Sequence, residues 1–188
     1  MQWTIRTRGE HLAPPETFTT HRLHLRPPQL DDADALFHGY IQDPDVTRYL
    51  VWRPHMTITM TRAFTEGCLQ GWHNQTEWTY ILTDRTNHAV LGMLSLRSTG
   101  FTASLGYVLM RAAWGQGLIP EAAVAVVSWV LGQPDIFRVW AVCDVDNRAS
   151  ARVLEKIGMQ REGLMRRGVL HPNISDEPRD CWLYAKVK

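Results

Sequence analysis

Residues 105–125 read LGYVLMRAAWGQGLIPEAAVA, and the fold is decided there. Alternation up to this point predicts a strand over Ala103–Met110. Trp114, Gly115, Gln116 and Gly117 then form a turn, and Pro120 suits the first turn of a helix running to Leu131. A helix N-terminus offers unpaired N–H groups and about half a positive charge, which suits a phosphate. Glycines at 115 and 117 let the backbone approach an anion with no Cβ in the way. A tight turn that binds nothing fits the same glycines equally well. Two other phosphate loops are excluded, because the chain has neither GxxxxGK[ST] nor GxGxxG after an early strand.

A second segment, VCDVDNRASARVLEKIGMQR over 142–161, ends a strand predicted over Arg138–Cys143 and opens a helix over Ala149–Ile157. Asp146 or Asn147 can cap that helix, and Val153, Leu154 and Ile157 face inward. Gly158 suits the position just past its end. Taken alone, Asn147 and Ser150 read as helix-capping residues.

The pattern W-G-x-G-x-x-x-E-A from Trp114 is followed from Asp144 by D-x-D-N-x-A-S-x-x-V-L-E-K-x-G-M. Together they resemble the GCN5-related N-acetyltransferase (GNAT) superfamily, and within it the ribosomal-protein N-terminal acetyltransferase branch. The resemblance starts at THRLHLRPPQLDDADAL (20–36), passes through DPDVTRYLVWRPH (43–55) and reaches Arg179-Asp180 and the end. It implies an α/β GNAT fold: an N-terminal extension over 1–17, then one N-acetyltransferase domain over 18–188. Its mixed, mostly antiparallel twisted sheet would have about seven strands flanked by about four helices.

The resemblance also implies site residues. Amides along Trp114, Gly115, Gln116, Gly117, Leu118 and Ile119 would hold the pyrophosphate of acetyl-coenzyme A. Gly117 matches the family pattern, whereas Ile119 stands where a small residue is usual. Val108, Leu109 and Met110 would pair with the pantetheine arm like an added strand. Asn147 and Ser150 fall beside the pantetheine and thioester; Lys156 would meet a coenzyme phosphate, although a solvated helix lysine suits it better.

Direct attack of an amine on the acetyl thioester needs a neutral amine, a donor for the oxyanion and a proton for the leaving thiolate. The N–H near Leu109 is the oxyanion candidate; Ser150 is the first candidate acid and Tyr107 the second. Many branch members place a Glu in E-I-G-Y before the phosphate turn, where this chain has Ser104-Leu105-Gly106-Tyr107. At pH 7 deprotonating an α-amine costs about 1.4 kcal/mol and a lysine about 4.6 kcal/mol. The absent carboxylate therefore favours a protein N-terminal α-amine as acceptor. A small-molecule amine acetyltransferase and a non-catalytic acyl-coenzyme A-binding module are the alternatives. The acceptor side is expected at Tyr49–His55, with Tyr49 and Trp52, and at His171–Pro178, with His171. Asp176 and Glu177 would attract a cationic amine; Glu121 reads as a helix-dipole residue and Asp180 as an ion-pair partner of Arg179.

Working outward, strands are predicted over Thr20–Arg26, Glu77–Thr83, Ala89–Leu96, Met159–Gly163 and Cys181–Val187. Helices are predicted over Asp31–Tyr40, capped by Asp31 or Asp32, and Thr61–Trp72; Asp43–Met60 reads as a loop. The 188 residues suit one domain, and 45% hydrophobic with 21% charged residues excludes a disordered or fibrous chain. Lys+Arg 20 against Asp+Glu 19 gives a net charge of +1, so neither nucleic acid nor an anionic membrane is an expected partner. Arg161, Arg166 and Arg167 read as a solvated basic cluster, and the eight tryptophans as packing. Three separated cysteines and scattered histidines offer no metal set. Without a signal-like run, the protein is expected in the cytoplasm, with acetyl-coenzyme A and an amine as partners and a homodimer left open.

Overall fold

Alternating apolar residues from Leu23 to Leu109 build successive antiparallel strands, each burying one or both faces. The computed structural model describes residues 12–188. Its strands are β1 (Phe18–Thr19), β2 (Leu23–Arg26), β3 (Glu77–Asp84), β4 (Val90–Thr99), β5 (Thr102–Leu109), β6 (Arg138–Asp144), β7 (Gln160–Val169) and β8 (Arg179–Val187). The helices are α1 (Asp32–Leu36), α2 (Pro44–Thr47), α3 (Ile58–His73), α4 (Leu118–Gly132) and α5 (Arg148–Lys156). One sheet runs β1-β2-β3-β4-β5-β6-β8-β7 and is antiparallel except where β5 meets β6. Parallel neighbours need a crossover, and α4 supplies it.

The β5–β6 ladder is short. It pairs Thr102, Ala103 and Ser104 with Arg138, Val139 and Trp140, and then stops. β5 continues to Leu109 beside β4, and β6 continues to Asp144 beside β8. The two strands therefore part at their carboxyl ends and leave a crevice in the sheet. In open α/β sheets such carboxyl-end crevices are where ligands bind.

The crevice is held open by a core on each face. On one side α4 and α5 bury Ala122, Val126, Val130, Leu154 and Ile157 against Tyr80, Leu94, Leu96 and Tyr184. On the other, Leu36, Tyr40, Ile41 and Val46 pack on Ile81 and Met93. Burying a side chain of this size contributes about 1.5–3 kcal/mol.

Several elements differ from expectation. The first helix ends its α-helical hydrogen bonding at Leu36 and continues as a wider π-helical turn, Phe37–Ile41. Neither Asp31 nor Asp32 caps it in the expected way: Asp32 accepts from Gln29 N at 2.7 Å and forks with Arg26 at 2.7 and 2.8 Å. The segment expected as a loop contains α2, capped by Asp43 accepting from Asp45 N, with Pro44 at its first position. β7 runs to Val169, well past Gly163, as an exposed edge with register shifts after Arg161 and Met165. Such irregularities and its arginines blunt the edge against further pairing.

Part of the expected extension belongs to the core. Leu12 is buried in the larger cluster, and Pro15 O accepts a 2.7 Å hydrogen bond from the Tyr80 hydroxyl. Residues 1–11 of that segment lie outside the described residues. Among the described residues no helix is long and apolar enough to cross a membrane, and no group of three or more His, Cys, Asp or Glu side chains could hold a metal.

Candidate active site

The glycine turn connects β5 to α4, and positive φ decides its composition. Gly115 and Gly117 have φ of 76° and 74°, where a Cβ is strained although nothing crowds the space it would fill. The N–H groups of Gly115, Gln116, Gly117, Leu118 and Ile119 have no hydrogen-bond partner among the described residues. The next position is Pro120, which has no N–H, and Glu121 N begins the helical ladder on Gly117 O. Five consecutive free amides at a helix N-terminus have the chemistry to receive an anion. Ile119 does not obstruct them, because its side chain is buried in the main core. The space expected from a small residue is thereby kept.

Next to the turn, β5 offers an open edge. Met110 N donates to Leu91 O at 2.8 Å, which fixes the alternation of the antiparallel ladder. Val108 and Met110 consequently direct their backbone groups to β4, while Leu105, Tyr107 and Leu109 direct theirs into the crevice. Of the three residues expected to pair with a pantetheine arm, Leu109 is the one whose amide faces it. Trp114 occupies the Leu109 carbonyl with its indole N–H at 2.7 Å, so it shapes the crevice mouth through the strand end.

Across the crevice stands the N-terminus of α5. Asn147 accepts from Ser150 N at 3.0 Å, the cap read from the sequence. Ser150 Oγ lies 2.8 Å from the Tyr107 hydroxyl, which also approaches Ser150 O at 3.2 Å. The two candidate acids are thus joined. Burial pushes the Tyr107 phenol well above its usual range, with the Ser150 hydrogen bond acting in the opposite sense, so it stays a donor at neutral pH. Cys143 lies on this same side, its thiol pushed up to about 11 chiefly by burial. Lys156 is exposed in the last turn of α5, where the helix dipole favours a cation.

The acceptor-side residues also converge. Asn173 donates to Thr47 O at 2.7 Å and Trp52 O at 2.9 Å, tying the loop before β8 to the segment after α2. Exposed Arg53 and Asp176 pair across the same two loops at 3.1 Å. His171 is buried with its Nδ1 unpartnered; its Nε2 lies 3.9 Å from Asp144, and the Tyr49 ring stands edge-on at 6.4 Å. Trp52 stacks beside His55 and Phe64 on the second core. Asp144 is fully buried; burial would raise its pKa, but Arg179 and the Asp146 amide outweigh that and hold it below the usual range.

Charges fall differently from the sequence expectation. Arg179 pairs with Asp144 and Asp146, not with its neighbour Asp180, which accepts from Arg167 N. Arg167 pairs with Glu177, and Arg161 lies 4.5 Å over Trp182.

The acetyltransferase (GNAT) domain family matches residues 22–160, most of the chain. The chain belongs to the GNAT family. This GNAT protein is 29% identical to the uncharacterized N-acetyltransferase p20 of Bacillus licheniformis, over 80% of its own length and 86% of that protein's. The GNAT acetyltransferase of Bacillus anthracis shares 26% identity and a TM-score of 0.79, covering 91% of this chain and 98% of that one. RimL, the ribosomal L7/L12 alpha-N-protein acetyltransferase, solved in complex with coenzyme A, has the same fold: TM-score 0.80 at 22% identity, over 92% and 98%. The chain is accordingly an N-acetyltransferase of the acetyl-coenzyme A-using class.

A contact beside the glycine turn has no counterpart in the sequence reading. Glu121, read as a dipole residue, is the hub of a clamp that includes Thr20 and Arg22. Arg22 in turn reaches Gln116 O at 2.9 Å. These partners lie about a hundred residues away in sequence, so no local pattern signals them.

Proposed function

We propose that this GNAT enzyme transfers acetyl from acetyl-coenzyme A to a primary amine, with a peptide N-terminal α-amine as the leading acceptor. The observation that carries this is the continuity between the five free amides at 115–119 and the open β5 edge facing Ser150 and Tyr107. A diphosphate fits the amides, and an extended arm fits the strand edge as an added strand would. When bound, acetyl-coenzyme A supplies the activated thioester.

This chain's residues do the rest. The Leu109 N–H would stabilise the developing oxyanion. As the C–N bond forms and the C–S bond breaks, the Ser150 hydroxyl would deliver a proton to the leaving sulfur, supported by the Tyr107 hydroxyl at 2.8 Å, and be reprotonated through water by the proton the attacking amine sheds. Position 104, where many branch members carry a Glu, is Ser104 at the last rung of the β5–β6 ladder. With no carboxylate there, an amine that is cheap to deprotonate at working pH is favoured, and an α-amine costs about 3 kcal/mol less than a lysine. The likeness to an enzyme named for protein α-N-acetylation supports the same acceptor. His171, Tyr49 and Trp52 would line its entry, whereas Asp176 and Glu177 are taken up by Arg53 and Arg167.

Thiol release from acetyl-coenzyme A tests the proposal. Peptides with free N-termini should turn over faster at pH 7 than N-blocked peptides carrying lysine. Faster lysine acetylation would reject the α-amine assignment, and binding without turnover on any amine would reject catalysis.

A further inference from the structure

The Gln116–Gly117 peptide turns about ψ of Gln116 and φ of Gly117, and a glycine at φ 74° accepts either orientation, so sterics alone leave it free to turn over. A trans peptide holds its C=O and N–H on opposite sides. Whatever grips the Gln116 carbonyl therefore decides where the Gly117 N–H points. Arg22 grips it: Nη1 donates to Gln116 O at 2.9 Å. Its Nη2 lies 3.9 Å from where a Cβ on Gly117 would stand, so the guanidinium covers that side of the turn.

Arg22 is itself fixed. Its Nε donates to Glu121 Oε2 at 2.7 Å, and its backbone N donates to Glu121 Oε1 at 2.8 Å. Thr20 Oγ1 donates to the same Oε1 at 2.5 Å. Glu121 sits in the first turn of α4, so the clamp links the β1–β2 hairpin, the glycine turn and the helix start.

We propose that Arg22, held by Glu121, is a positioning residue for the coenzyme: it locks the Gln116–Gly117 peptide so that the Gly117 N–H faces the diphosphate seat. This rests on the reading that the coenzyme diphosphate lies on the amides of 115–119. Arg22 acts through the peptide and is not itself the ligand contact. Lysine cannot replace it, because one ammonium lacks the fork that spans carboxylate and carbonyl.

Calorimetric titration with coenzyme A and with pantetheine, which lacks the diphosphate, tests the inference without any acceptor. Arg22→Gln should weaken coenzyme A by about 10-fold, one charge-assisted amide contact, and leave pantetheine unchanged. Arg22→Lys should recover only part of the loss, and Glu121→Gln should resemble Arg22→Gln. Thermal midpoints verify that each variant is folded, and Glu121→Gln carries the test if Arg22→Gln is not. Wild-type affinity for coenzyme A in Arg22→Gln, or equal losses for both ligands, would overturn the inference while leaving the proposed function intact. A wild-type protein that fails to distinguish the two ligands would overturn the diphosphate seat and the inference with it.

Discussion

The Ser150–Tyr107 pair gives the sharpest mechanistic prediction. Their hydroxyls are 2.8 Å apart, and Tyr107 keeps a second partner in Ser150 O at 3.2 Å. Ser150→Ala therefore leaves Tyr107 hydrogen-bonded, and the fold should lose only about 1 kcal/mol. Tyr107→Phe removes both contacts at similar cost. A general acid contributes at least about 10²-fold to turnover, so each single variant should lose about that factor. If the two hydroxyls act as one proton-delivery unit, the double variant should also lose about 10²-fold, because residues acting as a unit are not additive. Independent roles would multiply to about 10⁴-fold. The assay is thiol release with a saturating free-N-terminal peptide, with coenzyme A affinity measured alongside. An unchanged rate in Ser150→Ala with intact coenzyme binding would remove Ser150 from the chemistry, and multiplied losses would refute the shared unit.

Other consequences concern separate parts of the molecule. A Cβ on Gly92 would stand 2.2 Å from Val108 O and 2.9 Å from Leu109 Cα. Gly92→Ala should push the end of β5 away, lowering the urea midpoint by an equivalent of about 1–3 kcal/mol, as overpacking does, and slowing transfer. His171→Gln should raise the KM for the peptide and leave coenzyme A affinity unchanged; a change confined to the coenzyme would place His171 elsewhere in the mechanism. The Glu121 and Asp144 carboxyls are both held below their usual range, although burial alone would raise them. Their stabilisation is thus present above the unfolded-state values of about 4 and lost as pH falls through the lower folded values. Thermal melts should show a flat contribution from pH 9 to 5, a decline in acid, and a weaker decline in Glu121→Gln.

Much of this architecture was legible because it depends on local signals. Alternation located β3 to β6, and Pro120 and Gly158 marked the helix that follows the turn and the end of α5. Asn147 was readable as a cap, and it is one. What escaped depends on distant partners. Asp32 looked like a cap but is claimed by Arg26, and Arg179 is claimed by Asp144 in place of its neighbour. β7 was legible only to Gly163, because its arginines and glycines break alternation beyond that point and only pairing with β8 carries it to Val169. α2 lies inside the segment that reads as a loop, because Asp43-Pro44 marks a helix start as readily as a turn. At the site, residue types pointed to the glycine turn and to Ser150 on the α5 cap, while the Arg22–Glu121 clamp and the burial of His171 required three dimensions.

Amide-resolved NMR during a coenzyme A titration bears most directly on the cradle at 115–119. The account predicts that the Gly115, Gln116, Gly117, Leu118 and Ile119 N–H signals move farthest, together with Leu109, and that pantetheine moves Leu109 alone. Signals at 115–119 that stay in place while coenzyme A saturates the protein would contradict it.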